Sequence, residues 1–521
     1  MNKTLRAAAM AVCLSLGAGL VQAADLRVAL STEQTTMDPD FARNSPNQAM
    51  AAQFFDRLVA FDADMRQVPA LAESWREVDP TTWEIKLRHG VKFSNGANFD
   101  AQDVIATVNR IPKIKGSPAS FDSSVANIES ITAPDPYTLR VKLKTRDPRF
   151  INDIGELYIT SREVKPDTDS DAFNTGKAMI GTGPYKFVEW RRGEYVKMEA
   201  NPYYWGKQKP HFKQVTLRFI GNGASRIAAL LSGDADLVEG VPTSDLAGIE
   251  SNKSFKVWRK SSARLIYLSV DSTRDKSPFV TDNNGNPIAN PFKDVRVRRA
   301  VAMLVNKKAL VDRVMRGVAE PTGQFVPEGL IGYAKGYAGV PYDPVEAKKL
   351  LTAAGYPNGF RVTLQAPNDR FQNDSQVAQA VGQLLARGGL QAQVEVMPNS
   401  VFLKRASAQE FSMFLFGFGS TSGSALRGLN QTLHTYDKES GQGLFNRSRY
   451  SNPTFDKQIE AADKEADPAK HQAGLEQATR TAMDDVGMIP LYFEQLTWVA
   501  KKNINFKPRR DERTMVVDIT E

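Results

Sequence analysis

Residues 71–104 read LAESWREVDPTTWEIKLRHGVKFSNGANFDAQDV, and this stretch indicates local structure at several points. Polar and apolar side chains alternate over residues 82–93, a period that is typical of β-strands. The alternation predicts a hairpin that turns at His89-Gly90. Asp100 then stands where an N-cap residue is expected, before a helix with the apolar face Val104, Val108 and Ile111.

Strands and helices alternate along the rest of the chain. The pattern predicts a strand from Asp25 to Leu30, and proline or glycine residues mark the ends of several helices. The predicted helices are one opened by Ser45-Pro46, one from Ser225 that stops at Gly233, one lined by Val295, Val297, Ala300, Val301 and Leu304, one from a capping box at Asp343 to Gly355, and one opened by Asp467-Pro468.

A strand–helix–strand pattern follows from Arg361 to Phe418. Its strands are predicted at 361–366, 391–397 and 411–418, with a helix at 375–387, and a last strand is predicted at 490–493. Consecutive parallel strands joined by a helix imply a right-handed crossover, so we expect a mainly parallel sheet.

Composition limits the class of protein. The chain has 521 residues, of which 41% are hydrophobic and 24% charged, which suits two or three globular domains and excludes wholesale disorder. The net charge is +8, but Lys and Arg alternate with Asp and Glu throughout. Because a nucleic-acid surface concentrates its basic residues, we expect no nucleic-acid partner.

The first residues resemble a secretory signal peptide. Lys3 and Arg6 precede an apolar run from Ala7 to Val21, and a cut after Ala23 follows the usual small-residue pattern. The single cysteine, Cys13, lies within this segment without a lipoprotein motif, so a disulfide scaffold and a cysteine-built zinc site are excluded. No later apolar run reaches the roughly 18 residues of a membrane helix. We therefore expect an exported protein.

Motifs of catalysis are missing from the sequence. Its four histidines form no H-E-x-x-H pattern. The stretch Gly419 to Gly423 resembles a G-x-S-x-G nucleophile elbow, but Thr421 stands where that motif has the nucleophilic serine. We expect a protein that is not an enzyme, with no metal site and no cofactor. The same glycine- and serine-rich loop follows an apolar strand, where small residues let a ligand approach the backbone, although an ordinary turn has the same composition.

Four segments, in order and over most of the chain, resemble the extracellular solute-binding proteins of family 5, which are the peptide, dipeptide and nickel-type receptors of bacterial ABC importers. The segments are residues 71–104, Gly181 to Tyr185 with Glu189 to Gly206, Asp294 to Ala300 with Asn306 to Val311, and Tyr342 to Tyr356.

The resemblance implies an α/β, two-lobed periplasmic binding protein of type II, with an extra domain on the first lobe. The implied boundaries are a signal peptide at 1–23, a first lobe at 24–57, 178–264 and 490–521, an additional domain at 58–177, and a second lobe at 265–489. Hinge crossings are expected near Tyr267-Leu268-Ser269 and Leu491-Tyr492-Phe493.

It also implies a function. The chain is expected to be the periplasmic substrate-binding component of an ABC transporter, a monomer that closes on a di- or oligopeptide or a peptide-like solute. It then delivers this solute to permease subunits served by ATPase subunits. An opine, a sugar, haem or a nickel chelate is the alternative ligand in the same architecture. An exported hydrolase and a chaperone-like or signalling protein are the alternatives from other classes.

Peptide receptors of this family carry G-W-x-x-D, whose aspartate pairs with the α-amino group of the ligand. The matching stretch here is Gly417 to Thr421, so Phe418 replaces the tryptophan and a neutral hydroxyl replaces the carboxylate. A charge-assisted hydrogen bond worth roughly 1.5–3 kcal/mol is lost. Either Glu33 or Asp271 replaces the anchor, or the ligand lacks the usual α-amine, as in opines, blocked peptides or γ-linked peptides, or this loop aligns differently.

The candidate ligand contacts come from two strand ends. Phe418 is expected to pack against the ligand, the hydroxyls and backbone to hold its polar ends, and Arg427 to bind a carboxylate. Arg447 and Arg449 lie near in sequence and would also suit a carboxylate, although solvated surface positions are the better explanation of all three arginines. The full set is Ser31, Thr32, Glu33, Phe418, Gly419, Ser420, Thr421, Ser422 and Arg427.

Overall fold

The computed structural model describes residues 25–420 and 422–521, so the predicted signal peptide and Thr421 lie outside the described residues. The strands are β1 Leu26–Leu30, β2 Val59–Phe61, β3 Gln67–Pro69, β4 Ala72–Asp79, β5 Thr82–Leu87, β6 Ile128–Asp135, β7 Thr138–Leu143, β8 Tyr185–Arg191, β9 Tyr195–Ala200, β10 Gln214–Phe219, β11 Leu237–Glu239, β12 Phe255–Val270, β13 Val280–Thr281, β14 Ala319–Pro321, β15 Arg361–Pro367, β16 Gln391–Met397, β17 Met413–Gly419, β18 Ile489–Lys501, β19 Asn505–Phe506 and β20 Ile519–Thr520.

Helices cover these strands on several faces. They are α1 Ser45–Phe54, α2 Ala101–Arg110, α3 Asp122–Val125, α4 Phe150–Ile154, α5 Ser170–Asn174, α6 Gly223–Ser232, α7 Thr243–Ser251, α8 Val295–Leu304, α9 Lys307–Ala309, α10 Pro344–Ala353, α11 Asp374–Arg387, α12 Asn399–Ser407, α13 Leu426–Leu433, α14 Pro453–Lys464 and α15 Pro468–Asp484. None of the helices in the described part of the chain combines the length and apolar character that crossing a bilayer requires.

One large sheet of the two-lobed α/β fold runs in the order β13-β15-β17-β12-β18-β11-β1-β10-β9-β8, with β16 beside β15 and β14 beside β18. We call the part built on β1 and β8–β11 the first lobe, and the part built on β13 and β15–β17 the second lobe. The strands β12 and β18 lie between them and pair from Phe255 opposite Lys501 to Leu268 opposite Ile489.

The expectation of a mainly parallel sheet is wrong. The strand–helix–strand segment is parallel as predicted, because β15 pairs in parallel with both β16 and β17. Most other pairs, including β12 with β17 and with β18, are antiparallel. The physical reason is that the chain crosses between the lobes in opposite directions, and neighbouring crossings are therefore antiparallel.

A second sheet, in the order β4-β5-β7-β6, corrects the hairpin predicted from residues 82–93. The strand β5 pairs with β4 before it, not with residues 91–93 after it. Val91 and Phe93 are buried outside a strand, and the Phe93 N–H donates to the Ala97 carbonyl at 2.8 Å. The alternation of polar and apolar residues continues past the end of β5 because the segment after this strand also buries its apolar side chains.

The helix predicted after this stretch is confirmed as α2. Asp100 is its N-cap, and Asp103 completes a capping box. The predicted face, Val104, Val108 and Ile111, is buried in a core of residues between Leu58 and Ile159. We call the four-stranded sheet and this core the additional domain; the residue boundaries of all the domains remain predictions.

The other predicted helices form, with small shifts at their starts. Asn44 and not Ser45 caps α1, and Asn222 and not Ser225 precedes α6, which ends at Gly233 with φ +84°. In both cases an asparagine oxygen accepts the free backbone N–H of the first turn. Val295 starts α8 but is 36% exposed, so it does not belong to the apolar face.

The segment Gly181 to Tyr185 packs against the end of α1. A Cβ on Gly183 would stand 2.4 Å from the Phe54 carbonyl carbon, and one on Gly181 would stand 2.1 Å from the Phe54 oxygen. The Gly183 N–H donates to that oxygen at 2.9 Å. This motif therefore serves close backbone packing.

We predict that Gly183→Ala lowers the free energy of unfolding by about 1–3 kcal/mol, because backbone atoms must move to admit the methyl group. Gly248→Ala in α7 is the matched control, since open space surrounds that position. It should be neutral or stabilising by about 0.5–1 kcal/mol. Urea denaturation followed by circular dichroism measures both, and equal effects would contradict the packing role.

Asp40 predicts a pH dependence of stability. Burial, with Asp38 nearby, raises the pKa of Asp40 from 3.8 to about 7. As pH rises from about 4 to 7 the unfolded chain releases this proton while the folded chain retains it, so stability falls across that window. Asp40→Asn should flatten the fall in melting temperature. The exposed control Asp167→Asn should follow the wild-type profile, and parallel profiles for all three proteins would contradict the prediction.

Candidate ligand-binding site

A cavity lies between the lobes, next to the end of β17 and the start of α13. It contains about 1100 Å³ free of protein atoms, part of it open to solvent. Its lining residues are Arg43, Ser45, Gln48, Ala49, Arg57, Phe61, Phe121, Glu156, Phe418, Gly419, Ser420, Ser422, Ser424, Arg427, Gly428, Phe445, Asp511, Glu512 and Arg513.

Aromatic rings form part of this wall. Phe61 and Phe121 come from the first part of the chain, whereas Phe418 and Phe445 come from the second lobe. Phe418 packs on Phe325 with ring centroids 6.0 Å apart, and Phe445 is 48% exposed. The cavity can therefore cover the apolar part of a ligand from two sides.

An ion-pair cluster bridges the cavity. Glu156 of the additional domain forms a salt bridge with Arg43 at 2.7 Å and another with Arg427 of α13 at 3.1 Å. A second contact of this kind joins Arg149 of the additional domain to Asp463 of α14. These contacts hold the second lobe against the additional domain.

The other acidic residues of the wall are already paired. Asp511 accepts from Arg509 at 2.7 Å. The Glu512 carboxylate binds Arg264 at 2.5 and 3.0 Å, and Arg264 also lies 3.4 Å from Glu494. Burial raises the pKa of Glu494 to about 7. Arginine is thus left in excess on the cavity wall.

The structure brings together part of the predicted contact set. Phe418, Gly419, Ser420, Ser422 and Arg427 all line the cavity. Thr421, the position of the missing amine anchor, lies outside the described residues. The contacts of all these residues with a ligand remain predictions.

The predicted contacts at the end of β1 are not in the cavity wall. The Ser31 hydroxyl donates to Glu239 at 3.0 Å, and Thr32 is exposed. Glu33 accepts from the Trp190 indole N–H and the Gly193 N–H, both at 2.9 Å. A ligand role for Ser31, Thr32 and Glu33 stays a prediction, and none of the three lines the cavity between the lobes.

The alternative anchor Asp271 is also bound internally. It is buried and accepts from Arg274 and from the Ser277 hydroxyl, the latter at 2.8 Å. Arg447 lies over the Phe416 ring at 5.0 Å, and burial lowers the pKa of its guanidinium. Neither Arg447 nor Arg449 is among the residues lining the cavity.

Sequence reasoning missed Arg43, Arg57, Glu156, Glu512 and Arg513. They lie in separate parts of the chain, and each resembles an ordinary surface residue in its local sequence. One feature could have pointed to part of the set, since residues 509–513 read RRDER, a density of charge that is unusual close to an apolar strand.

A family model decides the relationship of the chain to known proteins. The model of the bacterial extracellular solute-binding proteins, family 5 Middle, matches residues 66–440. The chain belongs to this family. Family 5 is a family of solute-binding proteins and not of enzymes.

Named relatives of this family 5 protein bind different solutes. The glutathione-binding protein GsiB of Escherichia coli (strain K12) is 30% identical over 507 residues, which cover 95% of this chain and 94% of that protein. DppA of Helicobacter pylori, solved with the peptide STSA, has a TM-score of 0.75 at 23% identity, covering 95% and 98% of the two chains.

A third relative carries a non-peptide ligand. MoaA of A. tumefaciens R10, solved with mannopinic acid, has a TM-score of 0.74 at 26% identity, covering 95% of this chain and 99% of that chain. The family 5 fold therefore extends over nearly the whole chain.

We predict that Arg427→Gln shifts the protein toward a more open form, because the bridge to Glu156 is lost. Arg427 is 47% exposed, so the free energy of unfolding should change by less than about 1 kcal/mol. Small-angle X-ray scattering should report a larger radius of gyration. Arg299→Gln on α8 removes the same charge away from the cavity and is the control; identical scattering from both variants would refute the bridging role.

Proposed function

We propose that this chain is the periplasmic substrate-binding component of an ABC importer and that it binds a short peptide or peptide-like solute between its lobes. The observation that carries the proposal is the interlobe cavity, whose wall contains four phenylalanines and four arginines. Apolar walls with a few convergent charged groups are typical of a site that orients a small amphipathic ligand.

Binding is proposed to close the lobes. Phe418 covers the ligand from the second lobe, Phe61 and Phe121 cover it from the opposite wall, and Arg427 bridges the two sides. A ligand that contacts both walls stabilises the closed form over the open form by its differential affinity. The permease then recognises the closed form and receives the solute.

A short γ-linked peptide is the leading candidate ligand. GsiB, which matches over nearly the full length of this chain, is named for glutathione. Glutathione carries two carboxylates and one ammonium, and the surplus of arginine on the cavity wall suits that charge. The absence of aspartate at position 421 fits a ligand whose ammonium is not presented as in an ordinary peptide.

An opine-like acid is the second candidate. MoaA, solved with mannopinic acid, supports it, and so does the replacement of G-W-x-x-D by Gly417 to Thr421.

The proposal also includes four further predictions from the sequence. They are export by a cleaved signal peptide, the predicted domain boundaries, the hinges near Leu268 and Tyr492, and a monomeric state.

A thermal-shift screen tests the function. The mature protein, refolded to remove co-purified solutes, is mixed with glutathione, neutral and acidic di- to pentapeptides, N-acetylated peptides, opines, sugars, haem and nickel chelates. A ligand at 100 times its dissociation constant should add about 2.7 kcal/mol of stability. We expect glutathione or another short peptide to raise the melting temperature and to reduce the radius of gyration. A panel in which only sugars, haem or nickel chelates act would refute peptide binding.

A further inference from the structure

The guanidinium of Arg57, just after α1, is a buried cation in the cavity wall. The residue is 8% exposed. Its Nη2 donates to the Gln48 side-chain oxygen, and the central carbon of the guanidinium, Cζ, lies 4.2 Å from the centre of the Tyr158 ring. Its Nε has no hydrogen-bond partner among the described residues. Only one of its three nitrogens therefore donates to an acceptor in the part of the chain that the structure describes.

Among the described residues, the other arginines buried to this degree pair with a carboxylate or with several backbone carbonyls, although Arg110 Nε also has no hydrogen-bond partner. Three of them pair with carboxylates, namely Arg110 with Asp38, Arg264 with Glu512 and Arg298 with Asp485. The fourth, Arg226, donates to four backbone carbonyls, those of Ile220, Gly221, Glu239 and Gly240. Within residues 25–420 and 422–521, no carboxylate forms a salt bridge with Arg57.

Neighbouring charges increase the need for an anion. Arg513 stands beside Arg57, because its Nη1 lies 3.3 Å from the hydroxyl of the same Tyr158. The carboxyl of Asp40 is near, but burial raises its pKa to about 7, so it is not a full countercharge at neutral pH. A buried charge without a partner costs several kcal/mol unless an opposite charge compensates it.

The cavity wall as a whole also carries an excess of positive charge. Four arginines line the cavity, and two of the three carboxylates there, Asp511 and Glu512, are bound by Arg509 and Arg264 from outside the wall, with Asp511 also 3.8 Å from Arg513. Glu156 is shared between Arg43 and Arg427. A cationic or neutral ligand would leave this surplus of positive charge uncompensated.

We infer that Arg57, flanked by Arg513, binds a carboxylate of the ligand and restricts this receptor to anionic solutes. The inference rests on the proposed function in one respect, since it takes the interlobe cavity as the ligand site. A carboxylate offers two oxygens to the planar guanidinium, and such charge-assisted bonds are the strong ones in a desolvated site. Arg57 is thus assigned as a specificity-determining residue.

The experiment compares wild type with Arg57→Gln and Arg57→Lys. Arg66→Gln is the matched control, because that side chain is 70% exposed outside the cavity wall and carries the same charge. The probes are glutathione, its two amides (one at the glycine carboxylate and one at the glutamyl α-carboxylate), neutral and acidic dipeptides, mannopinic acid, glutarate and citrate. Calorimetric titration gives affinities, and the melting temperature without ligand reports folding.

For wild type and Arg66→Gln, we expect anionic probes to bind and at least one amide of glutathione to bind roughly 10- to 100-fold more weakly than glutathione. Arg57→Gln should weaken glutathione by a similar factor and should no longer distinguish that amide from the acid. Arg57→Lys should regain part of the difference. A purely structural role would lower the melting temperature without removing the discrimination between acid and amide.

The outcomes separate this inference from the proposed function. If peptides bind wild type and Arg57→Gln equally well, or neutral peptides bind as well as acidic ones, peptide binding stands and the role of Arg57 is refuted. If the wild type binds only mannopinic acid, glutarate or citrate, and Arg57→Gln abolishes that binding, the inference stands and peptide binding is refuted. If no probe binds wild type, both are refuted.

Discussion

The antiparallel pairing of β12 with β18 joins the two lobes, because both strands run through the sheet from one lobe to the other. The pairing extends from Phe255 opposite Lys501 to Leu268 opposite Ile489, with a shift of register between Ser261 and Leu265. Arg264 lies in this shift, pairs with Gly419 at the end of β17, and binds Glu512. The strand ribbon, the loop after β17 and the C-terminal segment are therefore coupled at one point beside the cavity.

That coupling determines which charges face the ligand. Arg264 is buried, so the carboxylates around it are held as its partners and are not free to bind a ligand cation. Across the cavity, Glu156 compensates Arg43 and Arg427 together. Arg57 remains the exception, a buried guanidinium with which no carboxylate of the described residues forms a salt bridge. The proposed specificity for anions thus rests on how the protein pairs its own carboxylates.

Much of the fold could be predicted from local patterns. Asp100 and Asp467 cap the helices they were expected to cap, and the parallel segment from Arg361 to Gly419 forms. The hairpin at residues 82–93 and the mainly parallel sheet were wrong because alternation reports burial but not the strand that pairs. Of the predicted contacts, those in the loop after β17 line the cavity, whereas those after β1 do not.

By itself, the sequence determined the family, the α/β class, most helices and the loop around Phe418, because these depend on residues close together in the chain. Only the tertiary structure decided which charges meet. The charged residues of the cavity wall come from separate segments that meet across the cleft, as in the case of Arg43, Arg57, Glu156, Arg427 and Arg513. Whether a cation is paired depends on burial and on neighbours at a few ångströms, and neither can be read from residues hundreds of positions apart.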